Sequence, residues 1–160
     1  MPNKAPATPT GYHTVTPSLC VAGAAKALDF YKKALGAEER MRFEGPDGKI
    51  MHAEFQVGDS IIMLADEMPD MGAKGPKSIG GTPVSFFVYG ENVDAAWKRA
   101  VDAGAKEVVP LADQFWGDRT GCLEDPFGHH WWLAQHLEDL TPEQIRKNAE
   151  AFFSQMQPAS

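Results

Sequence analysis

The segment AAKALDFYKKALGAEE (residues 24–39) contains the pattern that decides the fold. Its apolar residues recur at the i, i+3, i+4 spacing of an amphipathic helix, and Gly36 follows the last of them, where helices commonly end. A similar pattern returns in VDAAWKRAVDAGAKE (residues 93–107), so that GAEE at Gly36 is matched by GAKE at Gly104. Self-similarity at a fixed spacing indicates a duplicated structural unit.

Strand-like segments surround both predicted helices in the same order, separated by turns rich in glycine, proline and aspartate. The first set occupies residues 14–21, 40–43, 50–57 and 60–65. The second set occupies residues 83–89, 106–110, 116–124 and 129–136. The segments VGDSIIML and FGHHWWLA align without gaps when Val57 is placed on Phe127. We therefore predict an α+β fold of two paired βαβββ modules that enclose a concave, ligand-sized surface.

The rest of the chain divides around these modules. Proline-rich residues 1–11 are expected to form a disordered lead-in, and the glycine- and proline-rich residues 67–81 to form a linker between the modules at 12–66 and 82–137. Residues 138–160 contain the TPEQ capping pattern and then a helix and tail. One face of that helix carries Ile145, Ala149, Phe152 and Phe153. This apolar stripe must pack on the outer side of the sheet or on a second subunit, and a homodimer is expected.

Composition excludes several classes of partner. The 160 residues are 43% hydrophobic and carry a formal charge of -7, which disfavours nucleic acid and anionic membranes. No apolar run approaches the ~20 residues that span a bilayer, and the N-terminus lacks the apolar centre of a signal peptide, so a cytoplasmic location is expected. Cys20 and Cys122 belong to no C-x-x-C pair and are interpreted as reduced and inert.

The paired modules, together with ALDFYKKALGAEE (residues 27–39) and FWGDRTGCLEDPFGHHWWLAQH (residues 115–136), resemble the vicinal oxygen chelate superfamily. This group contains glyoxalase I, bleomycin resistance proteins and extradiol dioxygenases, and the resemblance is greatest to its PhnB-like branch. It covers about residues 15–136 and implies the fold. It does not imply one reaction, because the same scaffold hosts isomerases, lyases, transferases, dioxygenases and pure binding proteins.

The resemblance also implies where a divalent metal would be held in metal-dependent members. Counting from the DFY of the first helix, and from Gly58 and Gly128 in the turns that lead into the last strand of each module, gives four positions: Thr16, Ile62, Val84 or Ser85, and Trp132. None is a usual ligand, since such ions need N or O donors. No cofactor is therefore predicted, although a divalent metal stays open through a displaced ligand set. The candidates for that set are His52, His129 and His130.

The strand histidines are also candidate ligand-binding residues. His52 and Glu54 share one face of their predicted strand and form the best polar lining of the first module. His129 and His130 are adjacent and point to opposite faces, so a regular strand cannot direct both to one ion. His130 shares its face with Trp132, and which face of this last strand lines the pocket is left open.

The segment FWGDR (residues 115–119) is a second candidate site. Trp116 could stack on a planar or cationic group, and Arg119 could clamp a carboxylate or phosphonate. The alternative is that Asp118 and Arg119 pair with each other and only position the end of the strand. Glu124 precedes the D-P-F-G turn and is a candidate general base if burial raises its pKa.

The preferred interpretation is a protein that binds a small, partly aromatic or apolar ligand in a cleft without the usual metal quartet. The expected walls of this cleft are Trp116, Trp132, Phe55 and Phe86. The alternative is a metal-dependent lyase, isomerase or dioxygenase with a displaced ligand set drawn from His52, His129, His130 and Glu124. A third interpretation gives an exposed face to another protein. Whether any reaction is catalysed is left open, and the metal content of untagged protein would separate the first two interpretations.

Overall fold

A computed structural model describes residues 5–156 as two βαβββ modules followed by a C-terminal helix. The first module contains β1 (Ser18–Val21), α1 (Ala24–Leu35), β2 (Glu38–Glu44), β3 (Ile50–Val57) and β4 (Ser60–Asp66). The second contains β5 (Ser85–Tyr89), α3 (Val93–Asp102), β6 (Lys106–Asp113), β7 (Asp118–Glu124) and β8 (His130–His136). The predicted α+β architecture is confirmed.

The segment between the modules is more ordered than its composition suggests. It contains a 3₁₀ turn (Pro69–Met71) and the short helix α2 (Pro76–Ile79), and Met68 pairs with Ala73 in an isolated bridge. The backbone N–H of Gly75 donates to the Glu67 carboxylate at 2.6 Å. Residues 5–11, the described part of the predicted lead-in, contain no helix or strand, whereas residues 1–4 lie outside the described chain.

The sequence provides the groups that begin the module helices α1 and α3 and the glycine that ends α1. The Asp66 carboxylate at the end of β4 accepts from the backbone N–H groups of Gly23 and Ala24 at 2.8 Å each, and so satisfies the start of α1. Gly36 ends α1 in the left-handed region at φ 66°. The side chain of Asn92 caps α3 by accepting from the N–H of Ala95 at 3.0 Å.

Each module forms one four-stranded mixed sheet, with strand orders β1-β4-β3-β2 and β5-β8-β7-β6. In each sheet the first and last strands of the module are parallel neighbours. Ser18 pairs with Met63 in the first sheet, and Ser85 pairs with His130 in the second. The β-bulges fix the equivalence of the two sheets, since Glu39 pairs with Phe55 just before one bulge and Glu107 pairs with Leu123 just before the other. Glu54 and Cys122 are therefore equivalent, and so are their partners Met63 and Trp132.

This register corrects the alignment of the last strands and the ligand position derived from it. Placing Gly58 on Gly128 matched Ile62 with Trp132, whereas the residue equivalent to Trp132 is Met63. The reason is that the hairpin from Cys122 to its partner Trp132 is one residue longer than the hairpin from Glu54 to its partner Met63. Ile62 itself is 5% exposed and points to the helix side of its sheet.

One hydrophobic core joins the two modules. The ring of Tyr31 in α1 stacks on Phe55 of the first sheet at 4.9 Å between centroids, and contacts Trp131 of the second sheet at 5.3 Å. Its hydroxyl donates to Asp125 at 2.7 Å. The guanidinium Nε of Arg99 in α3 donates to the carbonyl oxygen of Ala34 in α1 at 3.1 Å. The modules thus share buried apolar surface and directed hydrogen bonds.

Because the helices cover one side of each sheet, the opposite side is less covered, and we call it the open face. On the second sheet this face carries Phe87, Trp132 and Cys122 in one cross-strand row. On the first sheet one row of the open face contains Ser18, Met63, Glu54 and Met41.

The C-terminal helix α4 (Pro142–Met156) begins with the predicted capping pattern, since Thr141 and Gln144 exchange side chain to backbone hydrogen bonds at 2.8 and 3.3 Å. It contacts the second module through Phe115, whose ring lies 5.5 Å from Phe152 and 6.0 Å from Phe153. Both α4 phenylalanines are nevertheless exposed. No helix within residues 5–156 is long and apolar enough to cross a membrane.

Candidate functional site

A cavity of about 490 Å³ lies between the two modules. One wall is the segment that leads into β1, together with the β3–β4 turn. The other wall is β5 with Trp131 of β8. The lining is mostly apolar, and its polar side chains are His13, Asp59, Ser60, Ser85 and Tyr89. A concave, largely apolar space of this size with a few polar groups suits a small organic molecule.

An aromatic platform, defined as Phe87, Tyr89 and Trp132, extends from this cavity along the open face of the second sheet. The rings of Phe87 and Trp132 are parallel, with an interplanar angle of 1° and 5.3 Å between centroids. Phe87 also stacks on Tyr89 at 6.2 Å. Phe87 is 50% exposed and Tyr89 59% exposed, and both line the cavity. The platform therefore presents stacking surface that the protein itself leaves uncovered.

The platform follows from the sequence of β5, which reads SFFVY from Ser85 to Tyr89. Because strand residues alternate, Phe86 and Val88 pack against the core while Phe87 and Tyr89 reach the open face. Strand β5 is also the edge of its sheet, so its open-face side chains have a neighbouring strand on one side only.

A buried carboxylate supports one end of the platform. Asp118 is 5% exposed, and its Oδ2 accepts from the Tyr89 hydroxyl at 3.0 Å and from the Trp116 indole N–H at 3.1 Å. Burial opposes ionisation of Asp118, but hydrogen bonds from His136, Tyr89 and Trp116 outweigh that effect and hold its pKa below the usual range. Burial raises the pKa of Tyr89, and its hydrogen bond to the charged Asp118 raises that pKa further.

His136 lies between two carboxylates. Its Nδ1 is 2.7 Å from Asp118 Oδ1, and its Nε2 is 2.9 Å from Asp139 Oδ1. A neutral imidazole has one N–H and can donate to only one of them, so the arrangement requires the imidazolium. The hydrogen bond to Asp118 accordingly raises the pKa of His136 most, and the hydrogen bond to Asp139 raises it further.

This geometry predicts how stability depends on pH. A histidine whose pKa is raised on folding stabilises the fold below its unfolded-state pKa of about 6.5, and that contribution is lost as pH rises through the folded-state value. We expect the melting temperature of the wild type to fall between about pH 6 and pH 8 by more than that of His136→Gln. Differential scanning fluorimetry across this range measures the difference, and equal slopes in the two proteins would contradict the prediction.

The opposite end of β8 carries a second histidine–carboxylate pair. His130 Nε2 lies 3.4 Å from Glu124 Oε2, and both side chains are partly exposed on the open face. The predicted pairing of His130 with Trp132 on one face is confirmed, and this is the face that carries the platform. Glu124 and His130 line a separate cavity of about 370 Å³ beside Pro76 and Lys77, and neither lines the main cavity.

The predicted polar residues of the first sheet, His52 and Glu54, do not line the main cavity. His52 and Glu54 share the open face as predicted, with Nε2 and Oε1 3.1 Å apart. Tyr12 lies close by, and the hydrogen bond from its hydroxyl holds the pKa of Glu54 below the usual range. Glu54 is left 8% exposed, so the lead to β1 covers this carboxylate.

Several predicted residues lie elsewhere than expected. Asp118 and Arg119 do not pair with each other, because they occupy opposite faces of β7, and Arg119 instead binds Asp94 at 2.8 Å and Asp113 at 2.9 Å. Phe55, an expected wall of the cleft, is 1% exposed in the core. Of the other expected walls, Phe86 lines the cavity, whereas Trp116 and Trp132 are not among its lining residues.

His129 is a structural residue of the core rather than part of the open face. It is 8% exposed, and its Nε2 lies 3.1 Å from the carbonyl oxygen of Cys20. Within residues 5–156, no three His, Cys, Asp or Glu side chains gather in an arrangement that could hold a metal ion.

Sequence reasoning missed Phe87 and Tyr89, although the alternation of aromatic residues in SFFVY was a usable signal. It also missed Val15, which is 83% exposed and lines the cavity, and no local pattern would have identified it. This residue reaches the cavity only because the chain ahead of β1 runs past the second module's edge strand.

Comparison with known proteins yields a family match and several relatives. The family model of the glyoxalase/bleomycin resistance protein/dioxygenase superfamily matches residues 12–133. Protein Mb0911c of Mycobacterium bovis is 46% identical over 135 residues, which cover 82% of this chain and 89% of that protein. Protein At5g48480 of Arabidopsis thaliana is 30% identical over 124 residues, or 73% of this chain and 74% of that protein.

Solved structures share the fold. TioX from Micromonospora sp. ML1 is 26% identical, with a TM-score of 0.60 over 81% of this chain and all of that chain. The crystal structure of the Arabidopsis protein gives 27% identity and a TM-score of 0.63, over 77% of this chain and 98% of that one. A PhnB protein from Bacillus cereus is 18% identical, with a TM-score of 0.60 over 77% of this chain and 99% of that chain. At this identity the likeness shows the fold alone. Assignment to the PhnB-like branch therefore stays a prediction. The duplicated modules, the inter-module cavity and the family match together establish that this chain belongs to the glyoxalase/bleomycin resistance protein/dioxygenase superfamily.

Proposed function

We propose that the chain binds a small, partly aromatic or apolar molecule in the cavity between its modules, with a flat part of the ligand against the aromatic platform. The observation that supports this proposal most directly is the stacked Phe87–Trp132 pair, held parallel at 5.3 Å and left partly exposed beside the cavity. Aromatic rings with a free face stabilise a planar ligand through apolar contact and ring stacking.

The polar groups around the platform would orient such a ligand. The Tyr89 hydroxyl is already committed to Asp118, so it holds the ring in place. Ser85, at the other end of β5, and His13, across the cavity, are each placed to hydrogen-bond a bound molecule. The apolar lining supplies affinity in this arrangement, and these few polar side chains supply selectivity.

A binding experiment with Phe87→Ala tests the proposal. A thermal-shift screen of planar organic molecules should find compounds that raise the melting temperature, because a ligand of the native state stabilises it. Loss of the Phe87 ring should lower the affinity for the best compound by roughly ten- to a hundredfold. Quenching of tryptophan fluorescence measures this affinity.

Phe43→Ala is the matched control, since it removes the same side chain from an exposed position on β2 of the other sheet. It should leave the affinity within about twofold, because a surface change that touches no ligand contributes little. Equal losses in both variants, or no loss in Phe87→Ala, would show that the platform is not the binding surface.

We also propose that the chain forms a homodimer through its least covered apolar surfaces. Phe152 and Phe153 of α4 are 42% and 57% exposed, although a helix packed on its own module would bury such residues. Light scattering at micromolar concentration should give twice the chain mass of 17.5 kDa. The double variant Phe152→Ser with Phe153→Ser should shift that mass toward one chain, and a wild-type monomer would contradict the proposal.

A further inference from the structure

A second, smaller cavity of about 170 Å³ adjoins the main one. The two share four lining residues, which are Val57, Gly58, Val88 and Tyr89. From there the smaller cavity continues between the C-terminal end of α1 and the first turns of α3, where Leu35, Val93 and Ala96 line it. A ligand in the main cavity can therefore extend past Tyr89 into this groove without leaving the protein.

A single arginine stands in this otherwise apolar groove. Among the described lining residues of the two cavities, Arg99 is the one lysine or arginine. Its Nε donates to the Ala34 carbonyl at 3.1 Å, which fixes the plane of the guanidinium against the end of α1. A side-chain carbon at Gly36 would lie 3.6 Å from Nη2, so the guanidinium rests directly on that helix end.

The terminal nitrogens of Arg99 are free to bind. No carboxylate within residues 5–156 lies close enough to pair with Arg99, and its one hydrogen bond there uses Nε. Arg119, by contrast, is held by two aspartates, and Arg42 by two glutamates. An oriented guanidinium with unused N–H donors recognises a carboxylate, sulfonate or phosphonate in a two-pronged contact.

We infer that the ligand of this site is an amphipathic organic anion, with its aromatic or apolar part in the main cavity and its anionic group at Arg99. The inference rests on the proposed function, which it deepens by naming the ligand class. Asp59 is the one carboxylate among the described lining residues of the two cavities, and it lies on the β3–β4 turn rather than in the groove with Arg99. The one formally charged side chain among the described lining residues of the groove is thus positive, although the whole chain carries a net charge of -7.

Two fluorescent probes with the same aromatic body but different charge test the inference. Anilinonaphthalene sulfonate carries one negative charge, and N-phenylnaphthylamine is neutral. The wild type should bind the anionic probe at least several-fold more tightly than the neutral one. Arg99→Gln should lower the affinity for the anionic probe by roughly ten- to a hundredfold, which is the range expected for loss of a charge-assisted contact. The affinity for the neutral probe should stay unchanged.

Lys98→Gln is the matched control, because it removes the same charge from the neighbouring position of α3. Lys98 is paired with Asp102 at 2.6 Å and lines neither cavity. Since Arg99 also holds the end of α1, circular dichroism and the melting temperature of each variant are measured first. The comparison of the two probes on the wild type needs no variant and decides the question if Arg99→Gln does not fold.

The outcomes separate this inference from the proposed function. The anion site is refuted, and the apolar site stands, if the neutral probe binds and the anionic probe binds no more tightly. The same conclusion follows if Lys98→Gln weakens binding of the anionic probe as much as Arg99→Gln does. If neither probe binds, the proposed function fails and the inference fails with it. Selective loss of anionic-probe binding in Arg99→Gln supports both the anion site and the proposed function.

Discussion

Replacing Asp125 with alanine is expected to destabilise the fold by about 4 kcal/mol, because several buried donors would lose their shared acceptor at once. Asp125 is 2% exposed. Its Oδ1 accepts from the backbone N–H groups of Phe127 and His129 at 2.8 and 2.9 Å. Its Oδ2 accepts from the Tyr31 hydroxyl at 2.7 Å and from the Trp131 indole at 2.9 Å.

Chemical denaturation with circular dichroism measures this loss, which should also lower the melting temperature by roughly 10 °C in a chain of this size. Tyr31→Phe provides the graded comparison. It removes one of the donors but keeps the ring that stacks on Phe55, so it should cost about 1–2 kcal/mol. If Asp125→Ala cost no more than Tyr31→Phe, the carboxylate would not be the centre that joins the modules.

Gly117→Ala is expected to destabilise the protein by about 3 kcal/mol, through backbone strain and a steric clash together. Gly117 has φ 97°, and an added Cβ would lie 2.5 Å from the carbonyl oxygen of Glu138. The Gly117 carbonyl also accepts from the N–H groups of Leu137 and Glu138 at 2.9 and 3.1 Å. Any movement that relieves the clash would therefore disturb the exit from β8.

Gly23→Ala separates the two contributions. Gly23 has nearly the same conformation, at φ 94°, but an added Cβ there meets no atom within 4 Å. It should cost only the strain of the left-handed region, about 1–2 kcal/mol. Equilibrium denaturation of both variants measures the difference, and equal losses would show that the approach of Glu138 is unimportant.

The fold could be predicted from the sequence because the local signals and the internal repeat indicate the same elements. Helix stripes, strand alternation and glycine positions all pointed to the same elements, and the observed boundaries differ from the predicted ones by a few residues at strand ends. The exact equivalence of the two modules was harder to derive. Glycines align well in sequence even where two hairpins differ in length, so counting from Gly58 and Gly128 displaced the ligand position by one residue.

Less of the candidate site could be predicted from the sequence, because the site depends on contacts between residues of different elements. Alternation correctly grouped His130 with Trp132 and His52 with Glu54, since that relation is local to one strand. The pairing of Arg119 with Asp94 and Asp113 involves a helix and a neighbouring strand, and nothing in FWGDR indicates it. Arg99 likewise reaches its groove only through the packing of α3 on α1.

The contact of Tyr31 with Asp125 bears on the evolutionary history of the chain. A module that arises by duplication begins as a self-sufficient copy, but here one copy supplies the phenol and the other supplies the carboxylate and the indole around it. Phe55 and Leu123 are equivalent, because each pairs just before a bulge, so Val57 stands in the first copy where Asp125 stands in the second. The halves have thus diverged into complementary parts. A gene fragment that encodes the first half alone would leave the Tyr31 hydroxyl without its acceptor, and a fragment that encodes the second half alone would leave Asp125 without that donor.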